Sequence, residues 1–112
     1  MEILITLLGL IKKATGLDAT PFYTGDNPAI TYSFYRTQGD GAKGRYRLQI
    51  RTHAKSLEQA ITLSEQITDG LVTLGDETRD GLRIEANGGG SLLDEGTHTP
   101  QQITYFDILA KE

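Results

Sequence analysis

Between Arg45 and Gly75 an alternating strand runs straight into an amphipathic helix, in the sequence RYRLQIRTHAKSLEQAITLSEQITDGLVTLG. Tyr46, Leu48, Ile50 and Thr52 fall on one face of the strand, and Arg45, Arg47, Gln49, Arg51 and His53 on the other. Ser56 then stands at an N-cap position with Gln59 in capping-box register. The spacing predicts a helix from about Leu57 to Leu74, closed by Gly75. A strand and a helix that are each apolar on one side bury those sides against each other. Leu57, Ile61, Ile67 and Leu71 are therefore expected to pack on Tyr46, Leu48 and Ile50.

A chain of 112 residues holds one such core and forms a single domain, residues 1–112. Its net charge of −4 argues against nucleic-acid binding driven by bulk charge. It has no cysteine, which excludes disulfides, thiolate zinc sites and cysteine nucleophiles and fits a reducing compartment.

A first helix is expected from about Glu2 to Thr15. At about 100° per residue, Ile3, Leu4, Leu7, Leu8, Leu10, Ile11 and Ala14 share one stripe, and Ile5 lies off it. Lys12 and Lys13 suit its last turn, Gly16 supplies the residue after the cap, and Leu17 a Schellman-type contact. The apolar run is too short to span a bilayer. Its flanking charges are also in the wrong order for a signal peptide, with Glu2 before and the lysines after. A cytoplasmic location in the producing cell is expected.

Thr20–Tyr23 reads as a short edge strand, and Gly25-Asp26-Asn27-Pro28 as a turn. Ile30, Tyr32 and Phe34 alternate with Thr31, Ser33 and Tyr35 in a further strand. The glycine-rich stretch TQGDGAKG joins it to the arginine strand, with a mobile tip expected over Gln38–Lys43. Beyond the second helix, Leu82, Ile84 and Ala86 alternate with Arg83 and Glu85. Asn87-Gly88-Gly89-Gly90 then reads as a turn, with Ser91–Asp94 pairing back across it. Ile103–Leu109 makes a closing strand. The expected order is α-β-β-β-α-β-β-β.

No motif for catalysis, cofactor or metal emerges. Gly39, Gly41 and Gly44 spell G-x-G-x-x-G, but a strand follows where a dinucleotide site requires a helix. Asn87–Ser91 lacks the G-K-[ST] ending of a phosphate loop. His53 and His98 have no metal-ligand spacing, and no G-x-S-x-G elbow occurs. The chain is read as a non-enzyme.

The arginine face admits three readings. It is a solvated sheet face, an RNA-binding sheet, or one half of a contact between copies. Base stacking would need aromatic residues among the arginines, and Tyr46 falls on the apolar face. Glu58, Glu65 and Asp69 lie within about 40° of each other on the second helix. A basic strand and an acidic ridge on one small domain can join copies head to tail, Arg45, Arg47 or Arg51 meeting Glu58, Glu65 or Asp69 of the next copy. Ile5 is the candidate apolar contributor.

The layout resembles the tail terminator, or tail completion, proteins of long-tailed phages, including relatives labelled minor capsid proteins. The residues that carry the likeness are LIKKATGL, PFYTGDNPAITYSFY, RLQIRTHAKSLEQAITLSEQITDGL and ITYFDIL. It covers nearly the full chain as a pattern, without an invariant chemical motif. It implies an α+β subunit with two helices against a largely antiparallel sheet. It also implies a structural role at the virion tail or neck, with assembly in the host cytoplasm. Similar subunits form hexameric rings on the tail tube and present a surface to the head connector or stopper. The tube would contact the loop containing Gly39, Asp40, Gly41 and Lys43. No cofactor, membrane or sequence-specific nucleic acid is implied. The alternatives are another neck component, such as a head-completion or joining protein, and a small α+β module binding a ligand or nucleic acid.

Overall fold

A computed structural model describes residues 2–22, 28–40, 43–72, 82–94 and 99–111. The chain is α+β, with two helices and a five-stranded mixed sheet. The elements are α1 (Glu2–Thr15), β1 (Ala19–Thr20), β2 (Ala29–Asp40), β3 (Lys43–His53), α2 (Leu57–Leu71), β4 (Leu82–Asp94) and β5 (Thr99–Lys111). The strands lie in the order β1-β2-β3-β5-β4. Among the described residues, only the short β1–β2 pairing is parallel.

Register brings the apolar alternations onto one face. Tyr32 and Phe34 of β2 pair with Ile50 and Leu48 of β3. Leu48 and Tyr46 pair in turn with Phe106 and Ile108 of β5, and Ile108 with Ile84 of β4. Both helices cover this face. Leu7 and Ile11 of α1 and Ile67 and Leu71 of α2 join Leu48, Ile50, Phe106 and Ile108 in one buried cluster. Phe34 stacks on Tyr46 with centroids 5.1 Å apart. Two hydroxyls tie α2 to the sheet. Thr52 Oγ1 donates to the Ala60 carbonyl at 2.8 Å, and Ser64 Oγ bonds Thr104 Oγ1 at 2.6 Å.

The caps explain the helix ends. Ser56 Oγ accepts the Gln59 N–H at 3.2 Å, as the capping spacing requires. At the end of α1, Gly16 adopts φ +78° and its N–H donates to the Lys12 carbonyl at 2.7 Å. Leu17 packs on the core, but its N–H goes to Thr15 Oγ1, so the cap is the single-bond αL type. α2 stops at Leu71, short of the expected Leu74, because Val72 turns extended. Gly70 and β-branched Val72 weaken that turn.

Several expectations are corrected. Asn87–Gly90 is not a turn. β4 runs through it as one strand, and Ser91–Asp94 pair with β5 instead of folding back. Gly88 and Gly89, at φ +84° and +153°, absorb a register shift between Ala86 and Gly89. The glycines therefore build a bulge, and the order is one strand shorter, α-β-β-β-α-β-β. β5 also begins earlier than expected, at Thr99.

The β2–β3 tip is corrected too. Gln38, Gly39 and Asp40 pair with Arg45, Gly44 and Lys43, so they form a ladder where a loop was expected. A shift between Arg36 and Gln38 keeps the strands in step. Gly41 lies outside the described residues, as does Tyr23 of the expected edge strand. On α2 the buried residues are Ala60, Leu63, Ser64, Ile67 and Leu71. Ile61 is half-buried and Leu57 is exposed, because the helix turns their side of the apolar arc away from the sheet.

Candidate subunit interface

Among the described residues, no helix covers the second face of the sheet. Tyr35, Arg45, Arg47, Gln49 and Arg51 reach it because they alternate with the buried residues of β2 and β3. Cross-strand pairing adds Tyr105 and Asp107 of β5, and Arg83 and Glu85 of β4. Register therefore sets Arg45 and Arg83 on either side of Leu109, and Arg47 and Glu85 on either side of Asp107.

The arginines are not equivalent. Arg47 Nε donates to Asp107 Oδ1 at 3.2 Å, and Asp107 Oδ2 also accepts from Asn87. The hydrogen bond and charge of Asp107 raise the pKa of Arg47 above its ordinary value. Arg47 also lies 6.0 Å over the Tyr105 ring. Arg83 pairs with Glu85 at 3.2 Å. Arg51 faces the neutral side-chain oxygen of Gln49, with Nε 3.1 Å away when the amide is oriented to accept. Among the described residues, neither Arg45 nor Arg51 forms an ion pair.

Two open hollows indent this face. One, about 440 Å³, is lined by Arg45, Arg47, Arg83, Glu85 and Asp107. The other, about 460 Å³, lies at the opposite end of β3, against Phe22, Arg51, His53 and Gln101. His53 ends the polar alternation of β3 as expected, yet it is buried, and its Nε2 lies 3.0 Å from Thr31 Oγ1. His98 lies outside the described residues.

On the far side of the molecule, Glu58, Glu65 and Asp69 lie exposed on α2. The helix contains no basic residue to offset them. Arg45, Arg47 and Arg51 are therefore on one layer, and Glu58, Glu65 and Asp69 on the other. One copy does not bring the two sets together. Ile5 is 67% exposed on α1. Gly39 and Asp40 pair with Gly44 and Lys43 at the end of the β2–β3 ladder.

Sequence reasoning missed four participants. Asp107 takes up Arg47 from 60 positions away, and strand register alone makes that pair. Tyr35 and Tyr105 set aromatic rings among the arginines, correcting the expectation that none is there. Their positions in strict alternation with Phe34 and Phe106 were the available signal. Phe22 is 78% exposed, and nothing in its local sequence distinguishes it from a core aromatic.

Among the described residues, no group of three or more His, Cys, Asp or Glu side chains is placed to hold a metal ion. No helix there is long and apolar enough to cross a membrane. In sequence comparisons, no protein-family model and no curated protein matches this chain.

Proposed function

We propose that the chain is a structural, non-catalytic subunit that joins copies of itself head to tail into a ring. In this reading the ring caps the tail tube of a long-tailed phage and meets the head connector. One observation carries the self-association. A basic sheet face and an acidic helix ridge lie on opposite layers of one subunit, so each copy offers the complement of what it presents on its other side. The phage assignment rests on the sequence pattern described above. Exposed ion pairs contribute only about 0–1 kcal/mol each. Apolar contacts must supply most of the affinity, and among the described residues Ile5, Phe22, Tyr35 and Leu57 are the exposed aliphatic and aromatic candidates.

The test adds purified chain to polymerising tail-tube protein and images the products by electron microscopy. Rings on tube ends and a shortened length distribution are expected. Tubes of unchanged length without rings would overturn the assignment. The position of the gene, between head genes and a tape-measure gene, is an independent check.

A second reading has one observation in its favour. Tyr35 and Tyr105 on an arginine-bearing open sheet resemble a stacking platform for single-stranded nucleic acid. Against it, Arg47 and Arg83 are already paired with carboxylates and the chain is acidic overall. A fluorescent oligonucleotide titration decides. Salt-sensitive binding that is lost in Tyr105→Ala would favour this reading.

A further inference from the structure

We infer that the hollow between Phe22 and Arg51 is the socket for the Leu57–Ile61–Glu65 ridge of α2 from a second copy. This rests on the self-association proposed above, but not on the phage assignment.

The hollows differ in what they repel. The one beside Arg45 and Arg47 also contains Glu85 and Asp107, which oppose an incoming carboxylate. Among the described residues, the lining of the Phe22–Arg51 hollow includes no carboxylate. Arg47 is already held by Asp107, whereas Arg51 faces the neutral amide of Gln49 and forms no ion pair among the described residues. Of the arginines expected to join copies, Arg51 lines the hollow in which no described residue is a competing acid.

The apolar half of the socket is Phe22, the most exposed large hydrophobic side chain among the described residues at 78%. Aromatic side chains and arginines are enriched at protein interfaces.

α2 carries the complement. Leu57, Ile61 and Glu65 follow one another at four-residue intervals and form a single ridge. Successive side chains on such a ridge stand about 5–6 Å apart, so an apolar group and a carboxylate can enter one hollow together. Leu57 is 41% exposed and Ile61 half-buried, although the sequence marks both for the core. Glu58 and Asp69 flank the ridge and extend the acidic field towards Arg51.

Geometry sets the mode of contact. The socket opens on the sheet face opposite the helices, and the ridge lies on the helical layer. One subunit cannot close the contact on itself, and a two-fold pair does not follow from it. Each copy uses its socket on one neighbour and its ridge on another, which generates a closed ring or an open filament.

The chain contains no cysteine, so introduced pairs report cleanly. Phe22→Cys combined with Ile61→Cys should give a ladder of disulfide-linked multimers under mild oxidation. The control, Phe22→Cys with Lys13→Cys, should give roughly tenfold less beyond the dimer. Without cross-linking, Arg51→Glu and Glu65→Arg should each weaken self-association about tenfold by sedimentation velocity, and the double swap should recover it. Both side chains are exposed, and circular dichroism checks that each variant folds. An equal ladder in the control, single variants that associate normally, a double swap without recovery, or a wild-type chain still monomeric at about 1 mM would each overturn the socket. Capped tubes with a failed swap would reject this contact and leave the terminator reading standing. A specific ladder without tube capping would do the reverse.

Discussion

Gly70 tests how the two helices are joined. A Cβ built there would lie 2.8 Å from the Ala14 Cβ and 3.7 Å from the Leu10 carbonyl oxygen. Two effects oppose each other in Gly70→Ala. The helix gains about 0.5–1 kcal/mol from reduced backbone freedom, towards the low end because Gly70 is in the last turn. Against that, overpacking costs about 1–3 kcal/mol. The obstacle is a methyl fixed to the α1 backbone, which cannot swing aside. The helices must separate, loosening Leu7 and Ile11 against Ile67 and Leu71. The expected net effect is a loss of about 1–2 kcal/mol. With a urea m-value of about 2 kcal/mol/M, the unfolding midpoint should fall by about 0.5–1 M at unchanged slope. Ala14→Gly removes the obstacle and alone costs about 0.5–1 kcal/mol. Combined with Gly70→Ala, it should reveal a favourable coupling of about 1–2 kcal/mol. A Gly70→Ala protein more stable than wild type, or two substitutions that simply add, would refute the argument.

Further outcomes follow from single sites. Gly89→Ala should lower stability by more than about 2 kcal/mol in a thermal or urea melt, since its Cβ would collide with the Ile103 carbonyl and its φ is +153°. Gly90→Ala meets nothing within 4 Å and should stay within about 0.5 kcal/mol of wild type. Thr31→Val removes the hydroxyl beside buried His53 Nε2 and should cost about 1–3 kcal/mol in the same assay. Ser56→Ala deletes the N-cap of α2 and should cost about 1 kcal/mol, with faster amide exchange at Gln59.

Local periodicity gave both bounds of α1, the start of α2 and the two faces of β3, because each rests on neighbours a few residues apart. It misled where one composition serves two structures. Asn87-Gly88-Gly89-Gly90 suits a turn and a bulge equally, and only pairing with β5 decides between them. It also could not rank the apolar positions of α2. Leu57 and Ile61 fit the arc as well as Ile67 does, but the side that faces the sheet is set by the approach of α1 at Gly70 and by the hydroxyl contacts of Ala60 and Ser64. The candidate interface was legible as charge on two elements. Its internal economy was not, because the Arg47–Asp107 pair and the exposed Phe22 depend on strand order and on where the chain passes the sheet edge.

The strand order also sets a timetable. β3 lies between β2, its hairpin partner, and β5, whose register places Asp107 beside Arg47 across 60 positions. A chain emerging in order from the ribosome can form the β2–β3 hairpin and α2 early, since both are local. Until β5 arrives, Leu48 lacks Phe106, Tyr46 lacks Ile108, and one edge of the arginine strand stays open. Closing that gap requires a long loop to be ordered before any contact repays it, so sheet completion is the slow step. During that interval the edge of β3 is free to pair with another nascent chain.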